Sequence, residues 1–360
     1  MSGTNMLPRW TIAAPIAGWV LLGGTLLGWG GIYVLVLAVG LVASVLAAVH
    51  HAEVVAHKVG EPYGTLVLAI AVTVIEVALI VSLMLAGGPA ANALARDTVF
   101  AAVMIILTGM LGLCMLAGGS AHGEQRFRLY GVSGALVTLA AIAVLTMVLP
   151  NYTETTPGPF YSRSQLAFIA LVTLVLYGTF VLVQTVRHRD YFLPADGAAD
   201  ADVHAVPPTA TQTWTSVGLL LACLGAVVLL AKAIAPTIET MLQGAGAPPA
   251  VLGIIIAGVV LAPEGIAALR AARANRLQTS LNLALGSALA SIGLTIPTVA
   301  VLSLVSGHPL ALGLGPMALV QLVFALFLAT ISLGTGRTTI LQGVVHLVLF
   351  AVYLFTTVIP

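Results

Sequence analysis

Glu76 stands in the run from Gly60 to Ser82, GEPYGTLVLAIAVTVIEVALIVS, where the only other polar side chain within a helical turn is Thr73. Counted as helix from Pro62, it lies roughly 20 Å in, well inside a hydrocarbon core about 30 Å thick. A carboxylate at that depth is costly unless a cation or proton neutralises it, so the residue type itself points to ion or proton handling. Glu264, in LAPEGIAAL, is a second carboxylate in an apolar run. Pro263, just before it, lacks an N–H and frees a carbonyl on the preceding turn, so the helix is expected to kink or break there. Freed carbonyl oxygens beside a carboxylate suit a hard cation. Thr73 shares the Glu76 face, three residues back, and offers a hydroxyl oxygen or bonds to its own helix.

The elements that must position these carboxylates follow from composition. Of the 360 residues 60% are hydrophobic and 7% charged, which places the chain among integral membrane proteins and excludes soluble enzymes. The near-neutral net charge argues against a nucleic-acid partner; the expected partner is membrane lipid. Apolar runs fall at about 10–29, 31–56, 63–86, 98–118, 129–149, 164–186, 214–242, 247–270, 279–305, 309–333 and 338–358. They are too long for the strands of a membrane barrel, so the expectation is an all-α protein with eleven spans. The first span follows Arg9 without a cleavage site and is read as retained.

With alternating sides, Arg9, Lys58, Arg126, Arg128, Arg187, Arg189, Arg270, Arg273, Arg276 and Arg337 share one face and Arg96 and Arg163 the other. That bias predicts a cytoplasmic amino terminus and an external carboxyl terminus. Trp10, Trp29 and Trp214 lie near span ends, as interfacial anchors do.

The polar break over 187–213 carries Asp196, Asp200 and Asp202 and reads as a cytoplasmic linker. A pattern repeats across it. Glu53 precedes Glu76 by 23 residues and Glu239 precedes Glu264 by 25, each pair straddling a Gly/Pro turn, Gly60-Glu61-Pro62 or Gly246-Ala247-Pro248-Pro249. The expected plan is an extra first helix (1–30), a five-helix repeat (31–186), the linker, and a second five-helix repeat (214–360). Five is odd, so the second repeat enters the membrane upside down, as in secondary transporters. Glu76 and Glu264 then sit half-way along oppositely directed helices and are expected to meet at the midplane.

Other polar groups admit two readings. His50, Glu53 and His57 form one stripe at the expected cytoplasmic end of the second span, either an ion mouth or a wet helix end. Glu239 is its repeat mate at the opposite mouth, and Lys232, seven residues earlier on the same face, is either its ion partner or a snorkelling lysine. Cys114 and Cys223 lack metal-ligand spacing and read as packing residues. His346, alone in the last span, reads as a satisfied or a lipid-interface histidine. A remote alternative is an intramembrane serine protease using Ser133, in Gly-Val-Ser-Gly, with His346 as base.

The segments HHAEVVAHKVGEPYGTLVLAIAVTVIEVALI and LAPEGIAALRAARANRLQTSLNLALGSALASIGLTIP resemble the two α-repeats of the cation/calcium exchanger superfamily, in particular its bacterial ChaA-type calcium/proton antiporters. The likeness covers nearly the whole chain. It implies export of Ca2+ from the cytoplasm across the bacterial inner membrane in exchange for protons, by alternating access and without a cofactor. In that family the glutamates matching Glu76 and Glu264 bind the cation and exchange protons. The later repeat helices, here Asp97 to Gly119 and Gln278 to Pro297, line the path, where Thr108, Ser287 and Ser291 are the polar residues that either face it or pack at helix contacts. Plant and fungal members carry an asparagine three residues before each glutamate; this chain has Thr73 and Leu261. Fewer side-chain oxygens suit poorly an ion that wants six to eight, so Na+ or K+ exchange on the same scaffold stays open.

Overall fold

The computed structural model describes residues 7–29, 31–60, 63–86, 92–193, 208–244 and 246–359. Apolar backbone without water satisfies its hydrogen bonds internally, and these runs coil. The elements are α1 (Arg9–Leu26), α2 (Tyr33–Val59), α3 (Tyr63–Ala86), and α4 (Leu94–Met104), which passes through a π-helical turn, Ile105–Met110, into α5 (Leu111–His122). They continue as α6 (Leu129–Ala143), α7 (Arg163–Leu182), α8 (Ala210–Gly244), α9 (Ala250–Arg273), α10 (Leu277–Ser306), α11 (Pro316–Leu333) and α12 (Ile340–Val358). Taking α4 and α5 as one rod, the described residues hold eleven rods in the order the sequence predicts. Nine helices among them are long and apolar enough to cross a membrane; in α3 the apolar stretch is Ile70–Met84.

Two sequence expectations change. The run expected as helix from 309 is helical only from Pro316, and 310–314 is extended and buried. Pro309, Gly313 and Pro316 oppose helix there, and the exposed backbone groups find partners instead. The Leu312 and Gly313 amides donate to the Pro159 carbonyl, Leu314 to Met147 and Ala311 to Asn92. The expected linker, 187–213, is also helical at its two ends, in a short turn at Arg189–Tyr191 and in α8 from Ala210. Asp196, Asp200 and Asp202 lie outside the described residues.

The helices gather into two compact units, one of Met1–Ala91 with Ala205–Leu252, the other of Asn92–His204 with Gly253–Pro360. In the first, α8 packs along α2, α1 lies against both, and α3 contacts α2 and α8. Its core joins Leu37, Ala226, Leu230 and Ile234. Small residues bring these helices close, as van der Waals packing in lipid requires: a Cβ on Gly18 of α1 would stand 2.9 Å from Ser44 Oγ of α2.

In the second unit the α4–α5 rod and α10 are central, 83% and 61% of their spans being buried against 22% for α12. Its turns pair reciprocally. The turn after α5 forms strand β1 (Gln125–Arg126) with β2 (Arg337–Thr338), in the turn before α12. In the same way Ala311, after α10, bridges Phe160, before α7. The helices that follow carry matching capping boxes, Ser162 with Gln165 on α7 and Thr339 with Gln342 on α12. Glycines with positive φ also recur in equivalent turns, Gly60 with Gly246 and Gly123 with Gly307. Each third-to-fourth turn of one half meets the fourth-to-fifth turn of the other, as an inverted repeat of five helices requires.

Candidate functional site

On α3, Val72, Thr73, Ile75, Glu76, Leu79, Ile80 and Leu83 are buried while Ile70 and Val74 are exposed. The helical period therefore turns Glu76 to the protein interior, just past the middle of a 24-residue helix and only 3% exposed. Thr73, 4% exposed, lies one turn back on the same face, as the sequence predicts.

In the second unit α9 also has 24 residues and carries half-buried Glu264 just past its middle. The helix is continuous through Pro263, which removes the break from the expected kink or break: one lost backbone bond is absorbed within it. The flanking turns are braced on the α4–α5 rod. A Cβ on Gly253 would meet the Asp97 backbone at 2.9 Å, and one on Gly265 would stand 3.3 Å from Met110 Cε. At the far end the His122 ring donates from Nε2 to the Arg273 carbonyl at 2.9 Å.

Glu264 thus lies level with the π-helical turn Ile105–Met110, which holds Thr108. The Thr108 hydroxyl is buried and donates to the Met104 carbonyl at 2.5 Å, leaving its lone pairs as acceptors. On α10, which packs against that turn, Ser287 is half-buried and Ser291 buried, one helical turn apart. Glu76 and Thr73 accordingly belong to one unit, and Glu264, Thr108, Ser287 and Ser291 to the other.

At the end of α2 the expected stripe is present. His50 Nδ1 lies 4.0 Å from Glu53 Oε2, and Glu53 is 56% exposed. His57 Nε2 is buried without a hydrogen-bond partner among the described residues. Glu239 falls in α8, but its side chain lies outside the described residues, as does any pairing with exposed Lys232.

Two buried polar centres escaped the sequence reading. His51, fully buried, donates from Nε2 to the Thr11 carbonyl at 3.1 Å and faces Ser216 Oγ through Nδ1 at 3.4 Å, joining α1, α2 and α8. Arg96 donates to Asp97 Oδ1 at 2.7–2.8 Å and to the Gly313 carbonyl at 2.8 Å, tying α4 to the extended segment. His51 follows His50 but lies about 100° round the helix from it, off the stripe; for Gly313 the only local signal is the Pro309, Gly313 and Pro316 punctuation. His346 is satisfied, as expected: Nδ1 donates to Leu107 O at 2.6 Å and Nε2 faces Ser332 Oγ at 3.1 Å. With both His346 nitrogens engaged elsewhere and Ser133 exposed on α6, Ser133 and His346 do not form the nucleophile–base pair that the protease reading needs.

The family described as sodium/calcium exchanger protein matches residues 27–186 and 215–359. The chain is 48% identical to the candidate ionic transporter y4hA of Sinorhizobium fredii, over 98% of this chain and 97% of that one. It is 38% identical to the sodium-potassium/proton antiporter ChaA of Escherichia coli, over 88% and 86%, and 23% identical to a Ca2+/H+ antiporter of Aphanothece halophytica, over 74% and 75%. Among solved structures, YfkE superposes with a TM-score of 0.73 at 17% identity, covering 98% of this chain and 100% of that one. The H+/Ca2+ exchanger CAX gives 0.73 at 16%, covering 96% and 87%.

Proposed function

The chain belongs to the sodium/calcium exchanger family, and from that premise we propose that it exchanges Na+ or K+ for protons across the bacterial inner membrane, with Glu76 and Glu264 as the shared site. It is a multi-pass membrane transporter of cations and not an enzyme, as its relatives are. The observation that carries the site is the matched placement of one carboxylate just past the middle of each of two 24-residue helices, α3 and α9. A pair of ionised carboxylates in a low-dielectric interior is too costly to leave empty, so the site is filled by a cation or by protons. Alternating access then moves either the cation-loaded or the protonated form, which couples the two fluxes.

Monovalent cations come first because the 38% identical relative is a sodium-potassium/proton antiporter and because Thr73 and Leu261 supply few side-chain oxygens. Calcium, first by the family resemblance, is the second reading; Ca2+/H+ antiporters among the more distant relatives favour it. Thr73, Thr108, Ser287 and Ser291 are proposed as further ligands or path lining. Glu53, His50, His57 and Glu239 are proposed as mouth residues. The ten-to-two bias of basic side chains supports a cytoplasmic amino terminus and an external carboxyl terminus.

Proton flux in everted vesicles, driven in turn by NaCl, KCl and CaCl2, tests the reading. Na+ or K+ is expected to drive it at lower concentration than Ca2+. A response to Ca2+ alone would reverse the order, and no response to any of the three would overturn proton coupling.

A further inference from the structure

We infer that Gln125 is a positioning residue for the proposed cation site: with Asn275 it clasps the end of α9 and so fixes the depth and rotation at which that helix presents Glu264. The inference rests on the reading of Glu264 as a cation ligand.

The α9 terminus is closed by its own backbone first. Asn275 is the one non-glycine residue with positive φ among the described residues, +58°, and its amide donates to Ala272 O at 3.1 Å while the Arg276 amide donates to Ala271 O at 2.9 Å. That is a complete left-handed cap, a position where asparagine is the usual substitute for glycine. Gln125, 2% exposed on β1, adds a second layer. Its Nε2 donates to Ala272 O at 2.9 Å and to Asn275 Oδ1 at 3.0 Å, across more than a hundred residues of sequence.

The amide cannot be flipped, because a backbone carbonyl only accepts and the –NH2 group must face it. Its Oε1 is then pressed against Gly118 of α5, where a Cβ would overlap the carboxamide. Gly118 is thus the space the clasp needs. A second amide works the other way across the same gap: Gln278, at the start of α10, accepts from the Arg128 amide at 2.6 Å and donates to Asn282 Oδ1 at 2.9 Å. The turn between α9 and α10 is thereby held to the segment 125–128 by side chains reaching in both directions.

From Ala272 to Glu264 is two helical turns, roughly 12 Å, so a small swing of the clasped end is carried to the carboxylate. A cation must be reached by ligands from more than one helix at fixed distances, whereas a proton needs only one carboxylate oxygen. Loosening α9 therefore weakens cation binding more than protonation.

The test uses the full-length transporter in proteoliposomes, driven by whichever of NaCl, KCl or CaCl2 drives the wild type. Gln125→Leu removes the donors. Asn275→Gly keeps the left-handed cap and the bond from Gln125 to Ala272 O and removes only the side-chain acceptor, so it reads the Asn275 half of the clasp even where the leucine variant fails to insert. Gln125→Leu, which loses both bonds, is expected to raise the apparent KM for the cation about tenfold and Asn275→Gly, which loses one, about threefold, with Vmax within about twofold and the pH midpoint of flux unmoved. The double variant should be no worse than Gln125→Leu alone, since the leucine already removes the bond that Asn275→Gly removes. A merely structural brace would lower Vmax or the yield of folded protein at unchanged KM. Unchanged KM in Asn275→Gly, with Glu264→Gln inactive, overturns the clasp alone; an active Glu264→Gln overturns both the clasp and the site it serves.

Discussion

At the scale of single residues, the charge that the membrane tolerates least is the most legible. Glu76 is readable from sequence because a carboxylate in such a run is costly, and it lies on the buried stripe of α3 that the helical period predicts. Glu53 differs from it in being 56% exposed, beside His50. A carboxylate in water raises the local cation concentration without a desolvation penalty, and salt screens that effect. Glu53→Gln should therefore raise the apparent cation KM about two- to fivefold at low ionic strength and lose most of the effect at high salt. Sided flux assays check this; a loss as complete as that of Glu76→Gln would place Glu53 in the central site. Gln125 and His51 are less legible because their roles depend on partners far away in the chain, Ala272 for one and Thr11 and Ser216 for the other.

At the scale of elements, hydropathy locates the spans but not their internal conformation. Leu310, Ala311, Leu312 and Leu314 have the composition of a helix, yet their segment is extended, because Pro309, Gly313 and Pro316 oppose coiling and partners at Pro159, Met147 and Asn92 satisfy its backbone. A buried extended segment and a buried helix are equally apolar, so only the punctuation hinted at the difference. The π-helical turn at Ile105–Met110 left no comparable mark, although it lies level with Glu264. Pro263 settles between the two readings it offered only as far as the break: a residue that breaks isolated helices is carried within a continuous α9. Close crossings carry the load between such elements. A Cβ on Gly293 of α10 would stand 2.8–2.9 Å from Tyr177 of α7, with no flexible chain end to yield. Gly293→Ala is expected to lower stability by about 1–3 kcal/mol, seen as a lower Tm in detergent. An unchanged Tm would mean that α7 and α10 shift apart freely.

At the scale of the whole molecule, the inverted repeat is legible from two glutamate pairs, and the reciprocal turn pairings around β1, β2 and the Phe160–Ala311 bridge fit it. What sequence could not supply is how the chain is partitioned. The compact units do not follow the two halves: α2, α3 and α8 share one with α1, while α9 joins α4–α7 and α10–α12. Repeats are written along the chain, whereas compactness is a property of contacts between distant segments. The proposed site takes one glutamate from each repeat, so the proposal requires both. Cation-driven proton flux in proteoliposomes containing wild type, Glu76→Gln or Glu264→Gln, each inserted to the same level, tests that requirement most directly. Flux should fall to the level of empty liposomes for both variants, and near-normal exchange by either one would contradict a site shared by the two carboxylates.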